Sequence, residues 1–122
     1  MKIRFFWMLL VLLAAGTRSG ANERATVIVV AGAPGEDEYA TVFAQQVEAW
    51  KQVCAQAGAK PIVIGAAVGD ATSDRDRLQQ ALAAETKTGA DELWIVLVGH
   101  GTFNGKEAKF NLRGLDLAAT EL

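Results

Sequence analysis

The residue of this 122-residue chain best suited to proton transfer is its single histidine, His100, which stands between two glycines. An uninterrupted apolar segment, residues 93–98, comes directly before it. Histidine titrates nearest to physiological pH, and flanking glycines let the backbone approach a ligand closely, so His100 is a candidate general acid or base. The alternative is a loop histidine that only hydrogen-bonds to a neighbouring carbonyl.

The single cysteine, Cys54, is the first nucleophile to consider beside a histidine, but its surroundings argue against that role. It falls on one face of a predicted helix with Phe43, Val47 and Trp50. A cysteine buried on such a face behaves as a small hydrophobe. We therefore predict that Cys54 is structural and that His100 has no nucleophile within this chain. A lone cysteine also excludes an intrachain disulfide.

Two further clusters could bind ions. The glycine-rich turn at residues 32–35 leads into a helix, but it lacks the dinucleotide and P-loop fingerprints and three acidic residues follow it, so we expect a plain turn. Asp70, Asp74 and Asp76 are spaced as in a calcium loop, without the glycine and glutamate that such a loop requires. We expect an exposed loop and helix start there, and we predict no cofactor and no metal.

Three apolar segments predict the strands that position these residues: 25–31, 61–64 and 92–98. They are continuously apolar rather than alternating, which is typical of a parallel sheet that is covered on both faces. With a helix between each pair of strands, the order β-α-β-α-β predicts a three-layer α/β fold of flavodoxin-like topology with helices on both faces of the sheet.

The two helices are delimited by local signals. The first opens in the acidic turn at Glu36 and ends at Gly58, a residue type favoured just past a helix end. Its apolar face is formed by residues three and four apart, namely Tyr39, Phe43, Val47, Trp50, Cys54 and Ala57. The second helix is predicted to have Ser73 as its N-cap and to end near Gly89.

After His100 the pattern changes. The dipeptide Asn104-Gly105 is the preferred type I′ turn, so we predict a small hairpin whose return strand covers residues 109–112. Asp116 is a candidate cap for a further helix that begins at Leu117.

The third strand is expected to lie inside the sheet. Residues 93–98 carry no charge, and an edge strand that is so apolar is an aggregation liability. We therefore expect a fourth strand beside it, beyond Leu122, so that the printed chain is truncated after the third core strand and a small hairpin.

The strand LWIVLV, followed by GHGT and a short hairpin, resembles the caspase-like clan of cysteine peptidases, which includes legumains, gingipains and bacterial caspase-like proteins. The segments AGAPGEDEYATVF and KFNLRGLDL are similar to the bacterial members, so the resemblance covers about residues 25–122. It implies a caspase-like fold, a protein or peptide substrate, and two catalytic groups. His100 would assist a cysteine thiol, and the N–H of Gly101 would help to form the oxyanion hole.

The chain departs from the clan in one respect: the nucleophilic cysteine, which follows the next core strand, is absent. We therefore predict the N-terminal fragment of an exported caspase- or legumain-like cysteine peptidase, inactive as an isolated chain. Two alternatives stay open. One is a catalytically inactive caspase-like scaffold or binding protein, and the other is a flavodoxin-like module that binds a small ligand at residues 32–35.

Residues 1–21 have the pattern of a secretory signal. Lys2 and Arg4 are followed by an apolar segment, residues 5–15, and by small residues at 19–21. Eleven apolar residues are about half of what a membrane-spanning helix requires, so we expect a removed signal, export to the periplasm or the exterior, and no stable membrane insertion. A retained anchor is the alternative.

Residues 22–122 would then form one domain. Nine basic and 14 acidic residues remain after Lys2, Arg4 and Arg18 are removed, which gives a net charge of −5. The basic residues form no stripe or cluster, so we predict no nucleic-acid partner.

Overall fold

The computed structural model describes residues 25–68 and 71–122, so the predicted signal and Asp70 lie outside the described residues. The elements are, in chain order, β1 (Thr26–Ala31), α1 (Asp37–Ala57), β2 (Lys60–Ile64), α2 (Asp74–Ala84), β3 (Leu93–Val98), β4 (Gly101–Phe103), β5 (Ala108–Phe110) and β6 (Leu117–Ala118), followed by a 3₁₀ turn at Ala119–Glu121.

The first three strands form a parallel sheet in the order β2-β1-β3. All six residues of β1 are buried, as their continuous apolarity predicts for a strand with neighbours on both sides and helices on both faces. The prediction of an α/β fold with a parallel sheet and flanking helices is confirmed, and the arrangement is compatible with a flavodoxin-like core.

The two faces of β1 belong to separate cores. Alternate residues of β1 point to opposite sides, as in any strand. On one side Val27, Val29 and Ala31 pack with α1, and we call this side the α1 face. On the other side Ile28 and Val30 pack with α2 residues and with the C-terminal segment, and we call it the α2 face. Within the described residues, no helix is long and apolar enough to cross a membrane.

The predicted ends of the helices are largely confirmed. Gly58 closes α1 in the left-handed conformation, with φ at 68°. The hydroxyl of Ser73 accepts a hydrogen bond from the Asp76 N–H and so caps α2. The prediction that α2 continues to near Gly89 is wrong, because the helix ends at Ala84. Residues 85–89 contain no apolar side chain that could pack on the sheet, and the two threonines among them lower the helix propensity of this segment.

The hairpin exists, but the predicted turn type is wrong. Strands β4 and β5 pair from Gly101 with Phe110 to Phe103 with Ala108. The Asn104 N–H donates to the Glu107 carbonyl, so the two central residues are Gly105 and Lys106, and only Gly105 has a positive φ, of 92°. A glycine with positive φ at the first central position alone is the pattern of a type II′ turn. The Asn104 side chain shifts the turn by one residue, because its Oδ1 accepts from the N–H groups of Lys106 and Glu107.

The predicted helix at Asp116 is also not formed. Leu117 and Ala118 pair antiparallel with β5 as the short strand β6, and both are buried. The Glu121 carboxylate then accepts from the Ala118 N–H and forms an ion pair with Arg75 of α2. Burial of Leu117 on the α2 face therefore prevails over the capping tendency of Asp116.

Within the described residues, β3 lies at the edge of the sheet. Four of its side chains are exposed, from 36% for Ile95 to 51% for Trp94, whereas Val98 at its end is buried. No described strand covers this edge of β3. The fourth strand expected beside it therefore stays a prediction.

Candidate functional site

His100 lies at the carboxyl end of β3, on the α1 face of the sheet. Its Nε2 atom is 3.2 Å from the carbonyl oxygen of Pro34, in the loop between β1 and α1. The imidazole meets the Tyr39 ring edge to face, with centroids 4.6 Å apart, and the Phe43 ring at 5.2 Å. Three groups from the start of α1 and its preceding loop therefore fix the orientation of the imidazole.

The contact with Pro34 determines which ring nitrogen can accept a proton. A carbonyl oxygen only accepts hydrogen bonds, so Nε2 must carry the hydrogen and donate it. In neutral imidazole the other nitrogen, Nδ1, then has the lone pair. The hydrogen bond to Pro34 thus favours the neutral tautomer in which Nδ1 is the proton acceptor.

The Gly101 N–H points away from the hairpin. In the β4–β5 ladder the hydrogen bonds on the β4 side fall on even-numbered residues, because Asn111 N–H donates to the His100 carbonyl and Asn104 N–H to the Glu107 carbonyl. Successive residues of a strand direct their N–H groups to opposite sides, so the N–H of Gly101 is directed away from β5. It lies one residue from the imidazole and faces outward.

The backbone of Asn111 joins the two loops of the site. Its N–H donates to the His100 carbonyl at 3.0 Å, and its carbonyl accepts from the Ala33 N–H at 2.9 Å. The loop after β1, which supplies the Pro34 carbonyl, and the loop after β3, which supplies His100, are therefore held at a fixed separation by one residue of the segment that follows β5.

Close packing explains why glycine occupies positions 32 and 99 near the backbone of Asn111. A Cβ atom on Gly99 would lie 2.9 Å from two ring atoms of Phe110 and 3.2 Å from the Cα of Gly32. A Cβ atom on Gly32 would lie 2.5 Å from the Asn111 carbonyl oxygen. Neither Gly99 nor Gly101 has a positive φ, so their role here is close approach rather than an unusual bend.

Cys54 is not brought to His100. It is a free cysteine, 1% exposed, in the core between α1 and the sheet, where it packs with Val47 and Val29. The prediction that it is a structural residue is confirmed. Since it is the only cysteine of the sequence, these 122 residues place no thiol at the imidazole.

A shallow pocket of about 310 Å³ adjoins the imidazole at the carboxyl ends of β1 and β2. Pro34 and Phe43, which contact His100, also form part of its wall. The other lining residues are mostly small and apolar: Ala31, Gly32, Ala40, Ala44, Val47, Gly65, Ala66, Val68 and Arg113. Ligands of parallel α/β sheets bind at this end of the strands.

The guanidinium of Arg113 is bound at the border of this pocket. Its Nε and Nη2 atoms donate to the two carboxylate oxygens of Asp74 at 2.7 and 2.8 Å, and its Nη1 donates to the Ala67 carbonyl. The expectation that Asp74 belongs to an exposed helix start is wrong, because Asp74 is only 3% exposed. The free-energy cost of burying the Asp74 carboxylate is compensated by its two hydrogen bonds from the Arg113 guanidinium.

The turn at residues 32–35 was considered from the sequence as a possible ligand loop, but the pairing of the Pro34 carbonyl with His100 was not predicted, and Arg113 was missed. The position of a backbone carbonyl cannot be recognised from the residue type. Arg113 lies 39 residues from its partner Asp74, so no local pattern joins the two. Within residues 25–68 and 71–122, no group of three or more His, Cys, Asp or Glu residues could hold a metal ion.

Comparison of the chain with family models, with curated proteins and with solved structures finds no match.

Proposed function

We propose that His100 and Gly101 are the proton-transfer and oxyanion-binding half of a cysteine peptidase site of the caspase-like type, with the caspase-like fold that this implies. The observation that carries the proposal is the pairing of His100 Nε2 with the Pro34 carbonyl, which leaves Nδ1 as an oriented base. One residue away, an outward-facing backbone N–H is available for a developing negative charge.

In the proposed reaction Nδ1 of His100 accepts the proton of a cysteine thiol as the sulfur attacks the peptide carbonyl carbon. The carbonyl oxygen becomes an oxyanion that accepts a hydrogen bond from the Gly101 N–H. The imidazolium then donates its proton to the leaving amine, and a thioester remains. Water, deprotonated by the same Nδ1, hydrolyses the thioester and regenerates the thiol.

The thiol must come from polypeptide outside these 122 residues, because Cys54 is buried in the core. The side of β3 that no described strand covers is the place for it. The segment after β5 is bonded to the loop after β1, so the hairpin lies on the β1 side of His100. The Gly101 N–H, which points away from β5, is therefore directed toward the open side, where a strand bearing the thiol would bring its sulfur.

A thiol-directed peptidyl ketone probe, applied to cells that carry the gene at its natural locus, tests this function. We expect the probe to label a cysteine outside the 122 residues, and we expect the labelling to be lost in His100→Ala. Lys106→Ala, at the exposed tip of the hairpin, is the matched control and should leave the labelling unchanged.

Labelling that persists in His100→Ala, or that maps to Cys54, would contradict the peptidase proposal. Absence of any labelled cysteine that depends on His100 would favour the inactive caspase-like scaffold instead.

A further inference from the structure

The pocket beside His100 adjoins the atoms of the proposed reaction. It lies at the carboxyl ends of β1 and β2, on the α1 face, and has a volume of about 310 Å³. Two of its lining residues also contact the imidazole: the Pro34 carbonyl oxygen is 3.2 Å from Nε2, and the Phe43 ring centroid is 5.2 Å from that of His100. A group that enters this pocket, which we call the β1–β2 pocket, therefore lies next to the proposed general base.

The walls of the β1–β2 pocket are mostly apolar. Phe43 and Val47 of α1 and Ala31 of β1 are buried in the core of the α1 face and form part of the wall. Ala40 and Ala44, which are neighbours one helical turn apart on α1, leave space because each side chain is a single methyl group. Transfer of apolar surface from water to such walls is favourable, so the pocket suits an apolar group.

The described walls offer no unshared partner for a charged side chain. Of the described residues that line the pocket, only Arg113 is charged. Its guanidinium donates to both carboxylate oxygens of Asp74 and to the Ala67 carbonyl, so the cation and the carboxylate neutralise each other. A carboxylate or an ammonium group that entered the pocket would lose its hydration without gaining a partner of opposite charge, and this costs free energy.

The position of the pocket selects one residue of a peptide substrate. In the proposed reaction the attacked carbonyl carbon lies about 3–3.5 Å from the reacting groups. The residue that supplies this carbonyl has its Cα bonded to the attacked carbon, so its side chain begins beside His100. In an extended peptide the preceding side chain points to the opposite side, and the one before it lies about 7 Å further along. The residue whose carbonyl is attacked is therefore the one that reaches the pocket.

Building on the proposed peptidase function, we propose that the β1–β2 pocket receives the side chain of the residue whose carbonyl is attacked, and that it selects an uncharged aliphatic side chain such as leucine. A volume of about 310 Å³ is at the lower end of the range for ligand sites, which fits one side chain better than a longer segment. The substrates are thus peptides that are cleaved after an aliphatic residue. The pocket lies on the β1 side of His100, so its occupant leaves the open side of β3 to the strand that bears the thiol.

Peptidyl ketone probes that differ only in the side chain next to the ketone test this selection, in cells that carry the gene at its natural locus. A leucyl probe should label the His100-dependent cysteine at least about tenfold faster than an alanyl probe, because each methylene group in an apolar pocket contributes about tenfold or more. An aspartyl probe, which is close to leucine in shape, and a lysyl probe should label no faster than the alanyl probe.

Filling the pocket tests where the side chain binds. Ala44→Leu enlarges the pocket wall at an exposed position of α1, where leucine is a good helix former, so the fold should be retained. It should slow labelling by the leucyl probe about tenfold or more and affect the alanyl probe much less. The matched control Ala49→Leu, at an exposed position of the same helix outside the pocket, should leave both rates unchanged.

The outcomes separate the pocket assignment from the peptidase function. Fastest labelling by the aspartyl or the lysyl probe, equal rates for the leucyl and alanyl probes, or equal effects of Ala44→Leu and Ala49→Leu would overturn the assignment and leave the peptidase proposal intact. Absence of His100-dependent labelling by every probe would overturn both.

Discussion

At the scale of single residues, the site depends on how closely backbone segments approach one another. His100 could be singled out from the sequence because a lone histidine follows a buried strand. Its tautomer could not, because the deciding hydrogen bond goes to a main-chain carbonyl 66 residues away. The same holds for Asn111, whose backbone joins the loops after β1 and β3. Its residue type gives no indication of these two hydrogen bonds.

Substitution of Gly99 tests this close packing. We expect Gly99→Ala to lower the free energy of unfolding by about 1–3 kcal/mol, as overpacking of a well-packed region does. The added methyl group would lie 2.9 Å from the Phe110 ring, and the backbone conformation itself is open to alanine. Chemical denaturation measures the change.

The matched control is a double-mutant cycle with Phe110→Leu. If the clash with the Phe110 ring is the cause, Gly99→Ala costs less in the Phe110→Leu background, with a coupling of about 0.5 kcal/mol or more. An equal cost in both backgrounds would contradict this explanation.

At the scale of elements, the sequence predicts what local chemistry decides. Strand apolarity, the Ser73 cap and the Gly58 end all act within one turn or one strand, and each is found in the structure. The turn type of the hairpin and the fate of Leu117 depend on competition with side chains or strands elsewhere, and there the predictions fail. A short local sequence pattern does not show whether a local contact or a contact with a distant element prevails when both are possible.

The Ser73 cap provides a measurable local contribution. Ser73→Ala removes the acceptor for the Asp76 N–H at the start of α2 and should lower the free energy of unfolding by about 1 kcal/mol. Ser73→Asp, which retains an acceptor, should cost much less. Thermal or urea denaturation of the two variants decides the matter, and equal losses would show that the hydroxyl does not cap the helix.

The ion pair between Asp74 and Arg113 joins α2 to the segment after β5. Asp74→Asn should lower the free energy of unfolding by about 1–3 kcal/mol, less than for a fully buried pair because about a third of the Arg113 side chain is exposed. Lys51→Ala, which removes the exposed pair with Glu48, is the control and should cost about 0.5 kcal/mol or less. Denaturation curves that show similar losses for both variants would argue against a special role for the buried carboxylate.

At the scale of the whole molecule, the two edges of the sheet decide how the chain meets other polypeptides. The sequence alone identifies residues 93–98 as too apolar for an edge, and the structure places them at one, within the described residues. What the sequence does not reveal is the asymmetry. Only the strand order shows that Lys60 and Pro61 guard the opposite edge of the same sheet.

Opening the edge that Lys60 and Pro61 protect should therefore promote association between copies of the chain. The Lys60 N–H donates to the Ala25 carbonyl, so the main-chain groups of residue 61 face away from β1. In the double variant Lys60→Val, Pro61→Val, the outward-facing N–H is restored at position 61, and β2 becomes an apolar edge that can accept a strand. An apolar edge with a restored donor can pair with the same edge of another copy. Light scattering at rising protein concentration should show a mass that grows with concentration for the double variant, while Lys51→Ala keeps the mass of the wild-type protein. A double variant that keeps the mass of the wild-type protein would show that Lys60 and Pro61 do not limit the assembly.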